Sequence, residues 1–409
     1  MSPEFALRME SVLDRWLWRQ EYWLPPGVSW EDMKETDEVR YPKPRDLLLA
    51  IPCAFIFTGV RFVFEKYVAL PLSRRLGIRE KSRTKAEPNK VLENFYSTQS
   101  KHPTEAEACS LSKRCDLRTR QIHRWFRVRR NQDRSSLTKK FCEANWRFVF
   151  YVFSFFFGLA LLHDKPWFWD QKEFWTGFPH QPLIPSLYWY YILELGFYSS
   201  LLLTVAFDVK RKDLKEQIVH HFATIFLLVF SYAANYMRAG TFVMVLHDAS
   251  DFILEPAKMF NYTKYKKVCD VLFVIFAVIF IITRLVLLPF RVIYSTYYQS
   301  MELFQPFFGY YFFNVLLMIL QVLHVFWAYL ILRVAYRLTA VGTVEQDLRS
   351  DVEESGASGK EDETPVDTKQ NGAIHLRKGA VSGQQNDPQK DSRQANGVAP
   401  LSNGHSMPS

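Results

Sequence analysis

The sequence lacks the means to build a secreted, cross-linked domain. Its 409 residues include five cysteines (Cys53, Cys109, Cys115, Cys142 and Cys269). That number is odd and the spacing fits no metal-ligand pattern, which excludes a disulfide scaffold and a zinc finger. The polar, aromatic N-terminus has no h-region, so no cleavable signal peptide is read there. Histidine is scarce, with ten in all and a single adjacent pair. No Gly/Pro-broken spans recur in two matching halves, which argues against a transporter built on inverted repeats.

Long apolar runs are what the sequence does have, alternating with dense charge. They argue against a single soluble globule. Candidate spans fall at about 46–70, 142–163, 184–207, 217–237, 239–260, 268–290 and 304–334. Leu303–Leu332 holds no formally charged residue, only the titratable His324. The first span is the weakest, interrupted by Pro52 and Arg61. The fourth and fifth are joined by Met237–Gly240 alone and are expected to form a tight helical hairpin. Trp146, Trp167, Trp169, Trp175 and Trp189 crowd the ends of spans two and three, as an interfacial aromatic belt does. The expected fold class is all-α: a polytopic membrane protein of about seven transmembrane helices, a small cytosolic helical insert and a disordered C-terminal tail.

Orientation follows from basic residues. Segment 71–141 holds 19 Lys+Arg against 7 Asp+Glu, a net of +12 where the whole chain has +9. An excess of this kind marks the cytosolic side. Seven spans also bring the lysine-rich loops 208–217 and 261–267 to that side and leave the N-terminus non-cytosolic. The resulting division is a non-cytosolic segment 1–45, a first span 46–70, the basic insert 71–141, six spans in 142–337 and an acidic tail 338–409. Residues 345–409 hold too little apolar surface to order themselves. Ser350 and Ser358 each precede an acid by three residues (Glu353, Glu361), which suits phosphorylation by an acid-directed kinase or leaves a plain solvated tail.

Within the basic insert, residues 110–134 read as two short helices and a turn, without a complete first helix. The second helix, Arg120–Gln132, resembles the recognition helix of a homeodomain, with Trp125 and Phe126 as its core pair and Arg129 and Arg130 on its surface. The adenine-reading Asn, two residues after the Phe, is replaced by Val128, which cannot make a bidentate base contact. A membrane-tethered nucleic-acid binder is the competing function this segment raises. A basic face near anionic lipid is the reading preferred here.

Ionisable residues at bilayer depth are costly and mark function. Span four opens with His220-His221. Span five carries His247, Asp248 and Asp251, then Glu255 and Lys258, with Asp248 and Asp251 on one helix face. Glu194, Arg284 and His324 are further intramembrane candidates. Across a hairpin the His pair and the Asp pair can face each other. A His held by a carboxylate is a base or nucleophile near neutral pH. A Zn or Fe site, helix-to-helix glue and an ion path are the alternatives.

The segments FDVKRKD (Phe207–Asp213), His220-His221 and HDASDFILEPAKMFNY (His247–Tyr262) closely resemble the Lag1-type motif in the TLC domain of ceramide synthases. The resemblance extends over about 16–355, homeodomain-like insert included. WLPP at Trp23–Pro26, FDVKRKD and LRSDVEES at Leu348–Ser355 look most like the family's subtype-four branch. It departs from the family in one respect: Gly27 stands where relatives carry an N-terminal glycosylation sequon. Pro256 is also unusual, and is expected to kink span five.

The resemblance implies a multi-pass endoplasmic-reticulum enzyme that N-acylates sphinganine or sphingosine with a long-chain acyl group from acyl-CoA. It implies no permanently bound cofactor and no metal, with acyl-CoA as co-substrate. Expected partners are the sphingoid base, acyl-CoA, membrane lipids and a dimer mate, itself or a related synthase. His220, His221, Asp248 and Asp251 become the catalytic candidates. Lys210, Arg211, Lys212, Lys264 and Lys266 become candidates for the coenzyme A phosphates. Family resemblance also points to the loop Tyr294–Phe304 as an influence on acyl length. Two routes stay open: His as base for direct amine attack, or His220 acylated first.

Overall fold

The computed structural model describes residues 18–36, 39–78, 84–263 and 265–341. Lys264, Ser350 and Ser358 lie outside them. Among the described residues every regular element is helical. Ten are named here: α1 (Pro44–Arg75), α2 (Lys90–Thr98), α3 (Glu105–Cys115), α4 (Thr119–Asp133), α5 (Leu137–Leu162), α6 (Pro185–Thr204), α7 (Leu214–Ala233), α8 (Met237–Asn261), α9 (Lys266–Glu302) and α10 (Phe308–Val341).

Four helical stretches are long and apolar enough to cross a membrane: α1, Thr119–Leu162, α9 and Phe308–Ala340. In the second of these the apolar part is α5. The outward faces of these helices carry large apolar side chains, such as Phe55, Phe62, Phe153, Val278 and Val322. Such faces are stable only against lipid or another apolar surface. The last helix runs four residues beyond 337 before the described residues end.

α8 is the centre of the bundle and packs on α5 and α9, while α6 packs on α1 and α7 on α10. Stacking of Phe150 on Phe197 (centroids 3.5 Å apart, 5° between planes) ties α5 to α6. The α7–α8 hairpin forms as expected, but its turn is Ala234–Tyr236, three residues earlier than the sequence suggested. Asn235 supplies the reason. It adopts φ +57°, which Asn tolerates better than most residues. That lets the Tyr236 N–H donate to Ser231 O at 2.7 Å and close the end of α7. Gly240 then lets α8 lie against the Tyr191 hydroxyl, where a Cβ would collide. α8 continues through Pro256 to Asn261. The missing proline N–H leaves the Phe252 carbonyl without its helical donor.

The insert is more complete than the sequence reading allowed. α2 supplies the first helix that seemed to be missing. Asn89 caps it by accepting from the N–H groups of Val91 and Leu92. Leu92, Phe95 and Tyr96 recur at helical spacing and pack with Ala108, Leu111, Ile122, Trp125 and Phe126 into a separate small core. A Thr104–Glu107 capping box starts α3.

Candidate active site

His220, His221 and Asp251 wall one cavity, whereas Asp248 turns away from the His pair and lines neither that cavity nor the apolar one beside it. His220 on α7 is buried and meets the His247 ring of α8 at 6.3 Å between centroids. The edge of Trp327 (α10) packs on His220 at 5.3 Å, and the Trp327 Nε1–H donates to Asp213 Oδ2 at 3.1 Å. His221 is partly buried beside Tyr198. Among the described residues no hydrogen bond joins either histidine to Asp248 or Asp251. The Nδ1 atoms of both are buried without a hydrogen-bond partner in the protein.

Asp248 points instead to α5 and α6. The Ser154 hydroxyl lies 2.6 Å from Asp248 Oδ2 and also contacts Glu194 Oε1. The remaining oxygens, Asp248 Oδ1 and Glu194 Oε2, have no partner. Asp251, one turn on, pairs with Arg284 of α9 at 3.2 Å. Arg284 also donates to His247 O at 2.7 Å and to Ser250 Oγ at 3.0 Å, and lies 3.2 Å from His324 Nε2. His324 Nε2 is 3.3 Å from His247 Nε2. Lys258 pairs with Glu255 at 2.6 Å. So six helices, α5 to α10, contribute charged or polar side chains to one buried region.

Two cavities lie there, sharing Tyr198 in their walls. The polar one, of about 110 Å³, is walled by both members of the His pair, by the acids Asp208, Asp213, Asp251 and Glu255, and by the cations Arg147, Arg211, Lys258 and Arg284. The other is narrow and apolar, about 40 Å³. Glu194 and His247 line one part of it and Leu227, Leu228, Met244, Phe313, Leu317 and Leu320 the rest. Of the five residues read for phosphate binding, Arg211 lines the polar cavity and is held by Asp213 at 3.0 Å. Lys210, Lys212 and Lys266 are solvent-exposed and outside that lining, and Lys266 donates to Asn261 Oδ1 at 2.9 Å. Sequence reasoning missed Arg147, Ser154, Tyr198 and Trp327. Arg147 carried a signal, an arginine at the start of an apolar span. Among the described residues no group of three or more His, Cys, Asp or Glu is arranged to hold a metal.

The sequence is similar to that of known proteins. The TLC domain matches residues 140–333, and the homeodomain matches 79–135. Human ceramide synthase 4 is 51% identical over 350 residues, covering 86% of this chain and 89% of the relative. Mouse ceramide synthase 4 is 47% identical over 397 residues, 97% and 99% of the two chains. Human ceramide synthase 3 is 49% identical over 339 residues, 83% and 88%. The chain belongs to the ceramide synthase family. It is a ceramide synthase, a sphingoid base N-acyltransferase.

The homeodomain match places Trp125 and Phe126 in the insert's core, both buried. Arg129 is not presented to a ligand: it is bound to Glu93 at 2.8 Å and to Asp133, and lies over the Tyr96 ring. Hydrogen bonding to Arg129 holds the Glu93 carboxyl below its usual range. Arg130 donates to Lys101 O at 2.8 Å. These arginines close the insert on itself, and with Val128 at the base-reading position a DNA-reading function is not favoured.

Proposed function

We propose that this ceramide synthase takes its acyl group from long-chain acyl-CoA and passes it through His220 to sphinganine or sphingosine. The observation carrying this is a polar and an apolar cavity lying side by side, with Tyr198 in the wall of each. A polar chamber with four cations among its lining, balanced by four acids, offers groups for the anionic head of coenzyme A, and the apolar cavity beside it suits the alkyl chain. The apolar cavity has little more room than one water needs, so α6, α7, α8 and α10 must part to admit a chain. Phe313, Leu317 and Leu320 stand on α10, just after segment 294–304, which the resemblance links to acyl length and which is largely the helical end of α9 rather than a loop; Thr296 there donates to Asn314 Oδ1 at 2.9 Å.

In the covalent route an imidazole nitrogen attacks the thioester carbonyl. The C–S bond breaks, and the thiol leaves with a proton. The amine then attacks the acyl-imidazole carbonyl, the C–N(imidazole) bond breaks, and His220 is regenerated. The unpartnered Nδ1 of His220, in the wall of the polar chamber, supports a direct role for its imidazole as nucleophile or base. Asp248 and Glu194, bridged by Ser154, offer the negative site for the incoming ammonium group.

Seven spans, with α6, α7 and α8 crossing inside a ring of more apolar helices, match the basic bias of 71–141 and of the α6–α7 turn. That topology makes the insert cytosolic, opens the polar chamber toward the cytosol and suits the endoplasmic reticulum. The domain limits 46–70, 71–141 and 142–337, the acidic tail with phosphorylation at Ser350 and Ser358, and a homo- or heterodimer complete the proposal.

Intact mass of the purified chain after acyl-CoA alone tests the route. An acyl adduct with thiol release supports it, and neither adduct nor thiol removes the covalent step. Conversion of sphinganine by wild type but not by His220→Ala tests the site.

A further inference from the structure

The polar chamber depends on a residue outside the TLC match. Arg61 of α1 is almost fully buried. Its guanidinium grips Asp208 in bidentate fashion, Nη2 to Oδ1 at 2.6 Å and Nη1 to Oδ2 at 3.2 Å. It also donates to Thr204 Oγ1 at 2.8 Å and to Glu65 Oε1 at 2.7 Å. Immediately after this point α1 widens into a π turn over Glu65–Ala69. Such turns occur often at functional positions.

Asp208 belongs to the segment that walls the polar chamber, and a second arginine stands close to it. Arg147 Nη2 lies 3.8 Å from Asp208 Oδ2, beyond hydrogen-bond reach, and 3.3 Å from Glu143. Glu143 in turn accepts from the Val209 N–H. With Arg61 in place, both oxygens of Asp208 are occupied and Arg147 keeps its place in the chamber wall. Without it, a buried carboxylate would lose its strongest partner, and the nearest cation that could turn to it is Arg147, now held by Glu143.

We propose that Arg61 is a positioning residue: by occupying Asp208 it leaves Arg147 available to the anionic head of the acyl donor. This rests on the acyl-CoA reading above. It makes the first helix part of the enzyme's substrate recognition, not only its anchor.

Steady-state kinetics of the full chain, with each substrate varied at saturating concentration of the other, tests this. Arg61→Met should raise KM for acyl-CoA about tenfold and change KM for sphinganine by less than about twofold. Adding Asp208→Asn should bring the acyl-CoA KM back to within about threefold of wild type, because no lone carboxylate is left to capture Arg147. A purely architectural role would not be rescued this way. Equal rises in both KM values, a fall in kcat alone, or a double variant no better than the single one would overturn the assignment. If Arg61→Met does not fold, Arg61→Lys carries the test, since an ammonium cannot make the bidentate grip. An intermediate rise in acyl-CoA KM is then expected, and none would overturn it. Wild type that turns over no acyl-CoA sinks the function reading itself. Wild type that does, with an unchanged KM in the variant, sinks only Arg61.

Discussion

The bundle and the insert treat their polar groups in opposite ways. In the insert the helices are capped, Trp125 Nε1–H reaches Glu87 O at 2.6 Å, and Arg129 is shared by Glu93 and Asp133. In the bundle the buried His220, Asp248, Glu194 and His324 each keep an atom without a hydrogen-bond partner. A fold that only needed stability would not leave such atoms deep in an apolar setting, where each costs about 1–3 kcal/mol. The contrast sets a module whose polar groups are mostly paired against the proposed site, where several are not.

The comparison breaks first at His220. His220→Ala should lower turnover by about a thousandfold or more, with the folded fraction in size-exclusion chromatography unchanged. Activity within tenfold of wild type would move the chemistry elsewhere. Next comes Phe126→Ala, which empties the centre of the insert's core and should destabilise that module by about 3–5 kcal/mol. Hydrogen exchange in α2–α4 would then rise sharply while exchange in α6–α8 stays as in wild type. Collapse of both would show the two regions to be one cooperative unit.

Asp248→Asn should cost about ten- to a hundredfold in kcat/KM for sphinganine and much less for acyl-CoA, read from separate substrate titrations. Trp327→Phe keeps the ring against His220 but loses the bond to Asp213. A loss of about 1 kcal/mol, or roughly fivefold in activity, is expected. The smallest effect is a pH dependence in the insert. Glu93 is held below its ordinary value of 4.5, so its pairing with Arg129 contributes fully above that value and fades as pH falls through the lowered one. Glu93 is nearly solvent-exposed, so the change is slight. Exchange at the α2 amides should accelerate in acid in wild type and lose that dependence in Glu93→Gln.

The apolar runs made most of the helices legible, and the charges inside them made the site legible. His220, His221, Asp248, Asp251, Arg284 and His324 were all readable as expensive residues at depth. Their pairing was not. Spacing along α8 put Asp248 and Asp251 on one face, yet Asp248 turns to Ser154 and Glu194 and Asp251 to Arg284. Three residues rotate a helix by about 300°, not a full turn, so the two side chains diverge enough to meet different neighbours. Ser154 and Tyr198 are uncharged residues in aromatic spans and gave no signal before the helices were packed. α2 was missed because its apolar positions are few, although the Asn89 cap and the Leu92–Phe95–Tyr96 spacing were there to be read.

His324 and Trp327 stand three residues apart on α10 and reach the same imidazole neighbourhood, one through Arg284 and His247, the other by its ring on His220. They can only arrive or depart together. A modest roll of that final helix would therefore release the Asp213 latch, uncover His220 and deprive Arg284 of an acceptor in a single movement.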